Sequence, residues 1–283
     1  MSVPSSLNVG PTTTLYLVKK RYLLFYIFLI WISIFSVQFE FWWYWNLLYE
    51  WKFIHFLFFL PFIIFLIYLT AILVSLFFTK LFLIIVNLLH KPREGVFLRD
   101  SSDKDFRYWS LRSTIKRWPI WLAHKFPFPF MDNICLKLFG IKTKFANSLF
   151  EGFIDTEFIE FGKNVVVGQS AIIQSAVIVG NLFIIRKTII EDNVVIGAHS
   201  VVMPGTHMKK NSILAGSSLT TVGQEVAENW VYLGAPAKKY KPNVFFEDGL
   251  EDIIRVQGME ESKIFEKVED FYTVRRDKEA KNN

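Results

Sequence analysis

The stretch 178–214, IVGNLFIIRKTIIEDNVVIGAHSVVMPGTHMKKNSIL, has a large aliphatic residue at every sixth position: Ile178, Ile184, Ile190, Ile196, Val202, Met208 and Leu214. Four positions after each come Leu182, Thr188, Val194, Ser200, Thr206, Ser212 and Ser218, small or β-branched in every case but the first. Neither a helix of 3.6 residues per turn nor a strand alternating every two residues gives a period of six. A hexapeptide period fits a parallel β-helix, in which short strands form flat faces and aliphatic side chains stack inside. Moving the frame by one residue gives Val179, Ile185, Glu191, Gly197, Met203, Lys209 and Ala215, a set that cannot line a core.

The repeat extends backward through Ile173, Val167 and Phe161, with Ala171 and Val165 in small-residue places. One residue is missing between Ile173 and Ile178, which predicts a tightened or rearranged corner there. Ile141, Leu149 and Ile154 are expected in a rougher first turn. The column is expected to stop at Ala235-Pro236, because Pro236 and Pro242 cannot donate ladder hydrogen bonds.

Upstream the composition changes sharply. Residues 22–39 and 53–79 contain no Asp, Glu, Lys or Arg, and about 20 apolar residues suffice to cross a bilayer as helix. Trp42, Trp43, Tyr44, Trp45 and Trp51 crowd the link between the two runs, as in an interfacial aromatic belt. The bulky first run lacks a small-residue cleavage site and is followed by a second span, which argues against a removed signal peptide. Lys19, Lys20 and Arg21 precede the first span, and Lys80, Lys91 and Arg93 follow the second. The connection has only Lys52 against Glu40 and Glu50. That asymmetry places both termini in the cytoplasm. The apolar run continues past Lys80 to Leu89, so the second helix is expected to tilt or leave the membrane still helical, with Lys80 snorkelling.

Residues 104–144 carry nine Lys or Arg against Asp105 and Asp132, interleaved with Trp109, Trp118, Trp121, Phe126, Phe128 and Phe130. Beside an apolar hairpin this pattern predicts a segment lying on an anionic leaflet rather than a nucleic-acid surface. A single cysteine, Cys135, excludes an intramolecular disulfide and a multi-cysteine metal site. The tail after Pro242 is charged and patterned as amphipathic helix. The expected division is a tail (1–20), a transmembrane helical hairpin (21–90), a basic aromatic link (91–140), a β-helix (141–242) and a charged helical tail (243–283).

The run Ile190-Glu191-Asp192-Asn193-Val194-Val195-Ile196-Gly197-Ala198-His199-Ser200-Val201-Val202 and the ending Tyr232-Leu233-Gly234-Ala235-Pro236-Ala237-Lys238 resemble the hexapeptide-repeat acyltransferases. A closer resemblance covers about 107–242. There Tyr108-Trp109-Ser110, the run from Ile154 to Gly162, and Met203-Pro204-Gly205 are similar to membrane-attached acetyltransferase-like modules of poly-lysine-type nonribosomal peptide synthetases. The resemblance implies an α+β membrane protein, with a two-helix hairpin followed by a left-handed parallel β-helix and assembly as a homo-oligomer such as a trimer. It implies acetyl-CoA, another acyl-CoA or a carrier thioester as donor, an amine or hydroxyl acceptor, and no metal.

Acyl transfer from a thioester needs a base for the attacking group and donors for the oxyanion. In the family the base is usually a histidine at a coil corner or on an inserted loop. His55 and His90 lie at the ends of the second span, and His124 lies in the basic link, where an interfacial role is expected. His199, three residues after Ile196, is expected at a corner and is the candidate base; His207 is the weaker choice. The family's histidine after an Ile-Gln step is missing here, since Ser175-Ala176-Val177 follow Ile173-Gln174. Glu191, Asp192 or a substrate group therefore stay open as replacements, as does loss of catalysis. Gly197, Ala215 and Gly216 would let the donor's arm approach the backbone, and Lys238 and Lys239 would hold its phosphates. Two other classes remain: a noncatalytic membrane scaffold, and a zinc hydratase of the γ-carbonic anhydrase kind. The latter needs three imidazoles, and the repeat holds only His199 and His207.

Overall fold

A computed structural model describes residues 17–48, 53–128, 130–149 and 152–243. Two long helices come first, α1 (Leu23–Leu48) and α2 (Phe53–Leu89), both long and apolar enough to cross a membrane. Their outward side chains are almost all apolar, with Ile54 and Phe58 more than two-thirds exposed. The tryptophans 42, 43 and 45 sit in the last turns of α1 rather than in a connecting loop, and Trp51 lies outside the described residues. Small polar groups on the buried stripe serve their own helix or its neighbour: Ser33 Oγ donates to Leu29 O at 2.7 Å, and Tyr44 Oη donates to Phe56 O at 2.6 Å. The helix α2 continues unbroken through Lys80, as the apolar run predicts. The Lys80 ammonium does not snorkel alone, however, but donates to Leu138 O at 2.7 Å.

Past α2 the chain forms β1 (Gly95–Leu98), α3 (Lys104–His124) and α4 (Phe130–Leu138). Asp103 caps α3 by accepting from the Phe106 amide at 3.0 Å. Lys104, Arg117 and Lys125 of this link are exposed, but two of its cations turn inward. One side of α3 packs on the hairpin, where Trp118 Nε1 donates to Ser33 Oγ at 3.1 Å and Leu122 O accepts from Tyr68 Oη at 3.0 Å. The other side packs on the strands that follow. Arg112 and Lys116, expected to face a leaflet, are each only 2% exposed. They are four residues apart, hence on one helical face, and both donate to Glu157 Oε1 at 2.7 Å.

The remaining strands are β2 (Phe153–Ile154), β3 (Ile159–Phe161), β4 (Val166–Val167), β5 (Ile172–Ile173), β6 (Ala176–Val179), β7 (Leu182–Ile185), β8 (Thr188–Ile190), β9 (Val195–Ile196), β10 (Val201–Val202), β11 (His207–Met208), β12 (Ile213–Leu214), β13 (Glu225–Val226), β14 (Trp230–Leu233) and β15 (Lys238–Pro242). Most stack into three parallel faces. The first is β2-β5-β10, the second β3-β8-β11-β13, and the third β4-β9-β12-β14 with β15 at its edge. The chain visits first, second and third face in turn, so each circuit is one coil. Register aligns Ile154, Ile173 and Val202 on the first face, Phe161, Ile190, Met208 and Val226 on the second, and Val167, Ile196, Leu214 and Tyr232 on the third. Together with Ile141 and Leu149 they form one buried core. Thr188, Ser200, Thr206, Ser212 and Ser218 are buried and spend their hydroxyls on nearby backbone carbonyls, as with Ser200 Oγ on Ala215 O at 2.8 Å.

Two members of the six-residue column are not in the coil. Ile178 and Ile184 lie on β6 and β7, an antiparallel hairpin inserted between β5 and β8, with β1 added antiparallel to β7. Ile178 packs with Phe106, Trp109 and Phe183, whereas Ile184 packs with Val177, Met203 and Val222. Both are buried, but against different partners, and Leu182 is 44% exposed. The missing residue after Ile173 marks this insertion. At the far end, β15 continues the third face beyond Pro236, where the column was expected to stop.

Between second and third faces the corners hold Asn164, Asn193, Asn211 and Asn229, each with φ of 55–57°. Asparagine tolerates this left-handed conformation better than most residues. Each side-chain amide donates to the next asparagine's oxygen, at 3.2, 3.0 and 2.9 Å in turn. The charged tail lies outside the described residues except for Asn243.

Candidate active site

The corner between third and first faces carries Ser170, His199 and Ser217 in successive coils, all with φ of 56°. The His199 amide donates to Gln169 O at 2.9 Å, and the Ser217 amide to Ala198 O at 2.8 Å. His199 is therefore at an exposed corner, as its spacing predicts, and its ring has no hydrogen-bond partner among the described residues. Gly197, Ala215 and Gly216 join it there. A Cβ on Gly197 would collide with the Gly216 amide nitrogen and lie 2.7 Å from the Ala215 carbonyl carbon. Coil stacking alone thus requires glycine at 197. Lys238 and Lys239 are exposed on β15, with the Lys239 ammonium 4.4 Å from the Trp230 ring centroid.

His207 stands mid-way along the second face, across the coil from the His199 corner. Its Nε2 lies 2.6 Å from Glu191 Oε1, and Glu191 Oε2 accepts from the Lys210 amide. The two histidines thus lie on different parts of the coil, one on a face and one at a corner. Among the described residues, no cluster of three or more His, Cys, Asp or Glu could hold a metal ion.

A cavity lies elsewhere, between α3 and the first two coils. It encloses about 320 Å³, within the usual range of ligand cavities. Ile120, Trp121, Phe153 and Ile172 supply apolar walls, and Lys116, Arg117, His124 and Asp155 supply charge. His124 Nδ1 lies 3.1 Å from Asp132 Oδ2 on α4, and its ring stacks on Phe153 at 6.1 Å. Burial pushes the Asp132 carboxyl above its ordinary range, against the pull of His124. With Asp132 ionised, Nδ1–H is the donor in this pair and Nε2 is the ring's accepting atom.

Asp155 starts the corner after β2. Its Oδ2 accepts from the Ser175 and Ala176 amides at 2.9 and 3.3 Å, just where the inserted hairpin begins. Burial pushes this carboxyl up to about 6, the two amide hydrogen bonds opposing the shift and Glu157 adding to it. Burial also pushes Glu157 up, but the Lys116 and Arg112 cations outweigh it and hold the carboxyl below its ordinary range. Reading the sequence missed Asp132 and Asp155 and gave His124 only an interfacial role. No spacing rule links His124 to Asp132, because α3 and α4 meet only through tertiary packing.

No family model matches the chain. A Staphylococcus aureus 2,3,4,5-tetrahydropyridine-2,6-dicarboxylate N-acetyltransferase is 33% identical over 93 residues, 33% of this chain and 37% of that protein. The chain therefore spans little more than a third of the length of that curated relative. Solved structures with a similar arrangement include a maltose O-acetyltransferase from Clostridium difficile 630, with 16% identity, 45% of this chain and 83% of that one covered, and a TM-score of 0.35. A hexapeptide-repeat acetyltransferase from Vibrio cholerae O1 biovar eltor, complexed with acetyl coenzyme A, has 17% identity, coverage of 50% and 91%, and a TM-score of 0.36.

Proposed function

We propose that this protein is a membrane-anchored acyltransferase of the hexapeptide-repeat type, moving an acetyl group from acetyl-CoA or a carrier thioester to an amine or hydroxyl. The outward apolar surface of α1 and α2 supports two membrane spans. The Lys and Arg asymmetry supports cytoplasmic termini and a cytoplasmic coil, where CoA is available. The coil is left-handed on the strength of its repeat motifs. Val166, Val195 and Ile213 form an apolar outward strip on the third face, which favours self-association, as in a homotrimer.

The donor's arm lies along the exposed corner beside Gly197, Ala215 and Gly216, with Lys238 and Lys239 toward its phosphates. What carries the catalytic part is the His124–Asp132 hydrogen bond in the wall of the cavity. A base oriented by a carboxylate suits proton abstraction. Register puts Gly152, on the cavity wall, in the same corner column as Ala171 and Ser200. Coils rise ~4.8 Å each, so the His199 corner lies on the order of 10 Å along the axis from the cavity. The acceptor's nitrogen or oxygen attacks the thioester carbonyl, its proton passes to His124 Nε2, and the carbon–sulfur bond breaks. His124 then returns the proton to the leaving thiolate. His199 is the second choice of base, favoured by its place beside the donor's lane.

The test is calorimetric binding of acetyl-CoA to the detergent-solubilised full chain, followed by transfer of labelled acetyl to simple amines. Lys238→Ala is expected to weaken donor binding about tenfold while leaving the transfer rate at saturation nearly unchanged, the loss of one charged hydrogen bond. A wild-type protein that binds no acyl donor would leave only the scaffold alternative.

A further inference from the structure

The cavity beside α3 combines features that a small polar acceptor does not require. Its apolar side is formed by Ile120, Trp121, Phe153 and Ile172, and Trp121 and Phe153 are 52% and 62% exposed at its edge. Its polar side holds His124, Asp155 and the exposed Arg117. The helix forming one wall is also seated on the apolar hairpin. Leu122, one residue past Trp121, accepts from Tyr68 of α2, and Phe126 and Phe128 pack on Phe65 of the same helix. Trp118, on the preceding turn, bonds Ser33 of α1 and stacks on Trp121 at 5.3 Å. Trp118 also meets the half-exposed Tyr26 of α1 edge-on at 6.3 Å, so partly exposed rings, Tyr26, Trp118 and Trp121, lead from the hairpin to the mouth of the cavity.

We infer that this cavity binds a membrane-resident amphiphile, its apolar chain against Trp121, Phe153 and Ile172 and its amine or hydroxyl beside His124. The inference rests on the acyltransferase reading for the role of that amine or hydroxyl, but the binding stands without it. A small polar acceptor has little apolar surface to bury against these exposed rings, whereas a single-chain amphiphile leaving the leaflet keeps its chain covered along this route. Burial of apolar surface supplies the affinity, and the ionisable end fixes the orientation.

The experiment uses the full chain in phosphatidylcholine nanodiscs, with a dodecylamine analogue bearing a photoreactive diazirine on its tail. Cross-linked peptides are mapped by mass spectrometry without any acyl donor. Labelling is expected in residues 113–124, 152–156 and 172–173. Dodecylamine should suppress it and propylamine should not, with at least a ~100-fold difference in effective concentration for so many buried methylenes. Ile172→Trp fills the cavity from outside the coil and should reduce labelling about tenfold or more. Trp121→Ala, at an exposed site, serves the same end if the first variant does not fold. Labelling confined to α1 and α2, or equal competition by propylamine, overturns the inference. Labelled cavity peptides without acetylation of dodecylamine when acetyl-CoA is added would uphold the site and reject acyl transfer as its use.

Discussion

The upper coils and the base of the coil are made from the same repeat but are held together differently. From Thr188 to Tyr232 the interior is aliphatic and hydroxyl-bearing, every layer repeats the last, and corner asparagines bond in line. At the base, α3 lies against the first coil, and the contact buries Arg112 and Lys116 against the half-buried Glu157. A repeat can specify its own stacking, because each layer presents the next with the same surface. It cannot specify a charge-bearing cavity, because identical layers would repeat every charge. On the proposed reading, the chemistry sits where a non-repeating helix meets the repeat.

The comparison breaks most completely if the stacked column is disrupted. Ile190→Asp places an unpaired carboxylate at a site 1% exposed, combining the loss of an aliphatic side chain with burial of a charge. The expected cost is several kcal/mol, ~5 or more, and denaturant unfolding should show no folded coil. Next comes the base. Glu157→Gln leaves Arg112 and Lys116 buried without an anion, and removal of one partner from such a pair costs about 3–5 kcal/mol. Thermal unfolding of the variant should separate α3 from the coil before the coil itself melts. Retention of wild-type stability would show that the triad is not what joins the two regions.

A smaller effect sharpens the contrast through pH. The Asp155 carboxyl titrates at about 6 in the folded chain, against ~3.9 when unfolded. The folded state therefore binds this proton more tightly, and the stability it confers is present below pH ~4 and lost as pH rises through 6. Asp155→Asn removes that loss. The variant should gain about 2 kcal/mol over wild type between pH 4 and 7, read as a difference in unfolding free energy. Asp105 and Glu160, whose carboxyls sit below their ordinary range beside Arg93 and Lys142, slope the other way and cancel in the difference.

Much of the coil was legible in the sequence, and the error inside it has a physical cause. Both faces of the inserted hairpin are covered, so its aliphatic residues are buried whichever way they point, and two of them can fall into a six-residue column. Ile178 and Ile184 did so while facing opposite sides of the inserted sheet. A better signal was present in Gly180-Asn181 between two apolar runs, a common hairpin turn, and Gly180 indeed has φ of 58°. The asparagines give the insertion its length. Asn193, Asn211 and Asn229 are 18 apart, whereas Asn164 precedes Asn193 by 29, leaving 11 residues for the hairpin. The corner position of His199 followed from its place in the repeat. The inward turn of Arg112 and Lys116 was not legible, because a count of Lys and Arg does not tell which helical face they occupy, and Glu157, their counter-charge, is over 40 residues downstream.

The central claim is that catalysis belongs to the junction and not to the regular corner. It is tested most directly by measuring kcat for acetyl transfer, at saturating acetyl-CoA, for His124→Ala and His199→Ala side by side. Loss of a general base removes roughly 100-fold or more. His124→Ala is expected to lose at least that with donor affinity intact, while His199→Ala stays within a few-fold of wild type. A His124→Ala protein with full activity beside an inactive His199→Ala protein would contradict the account and return the chemistry to the corner of the coil.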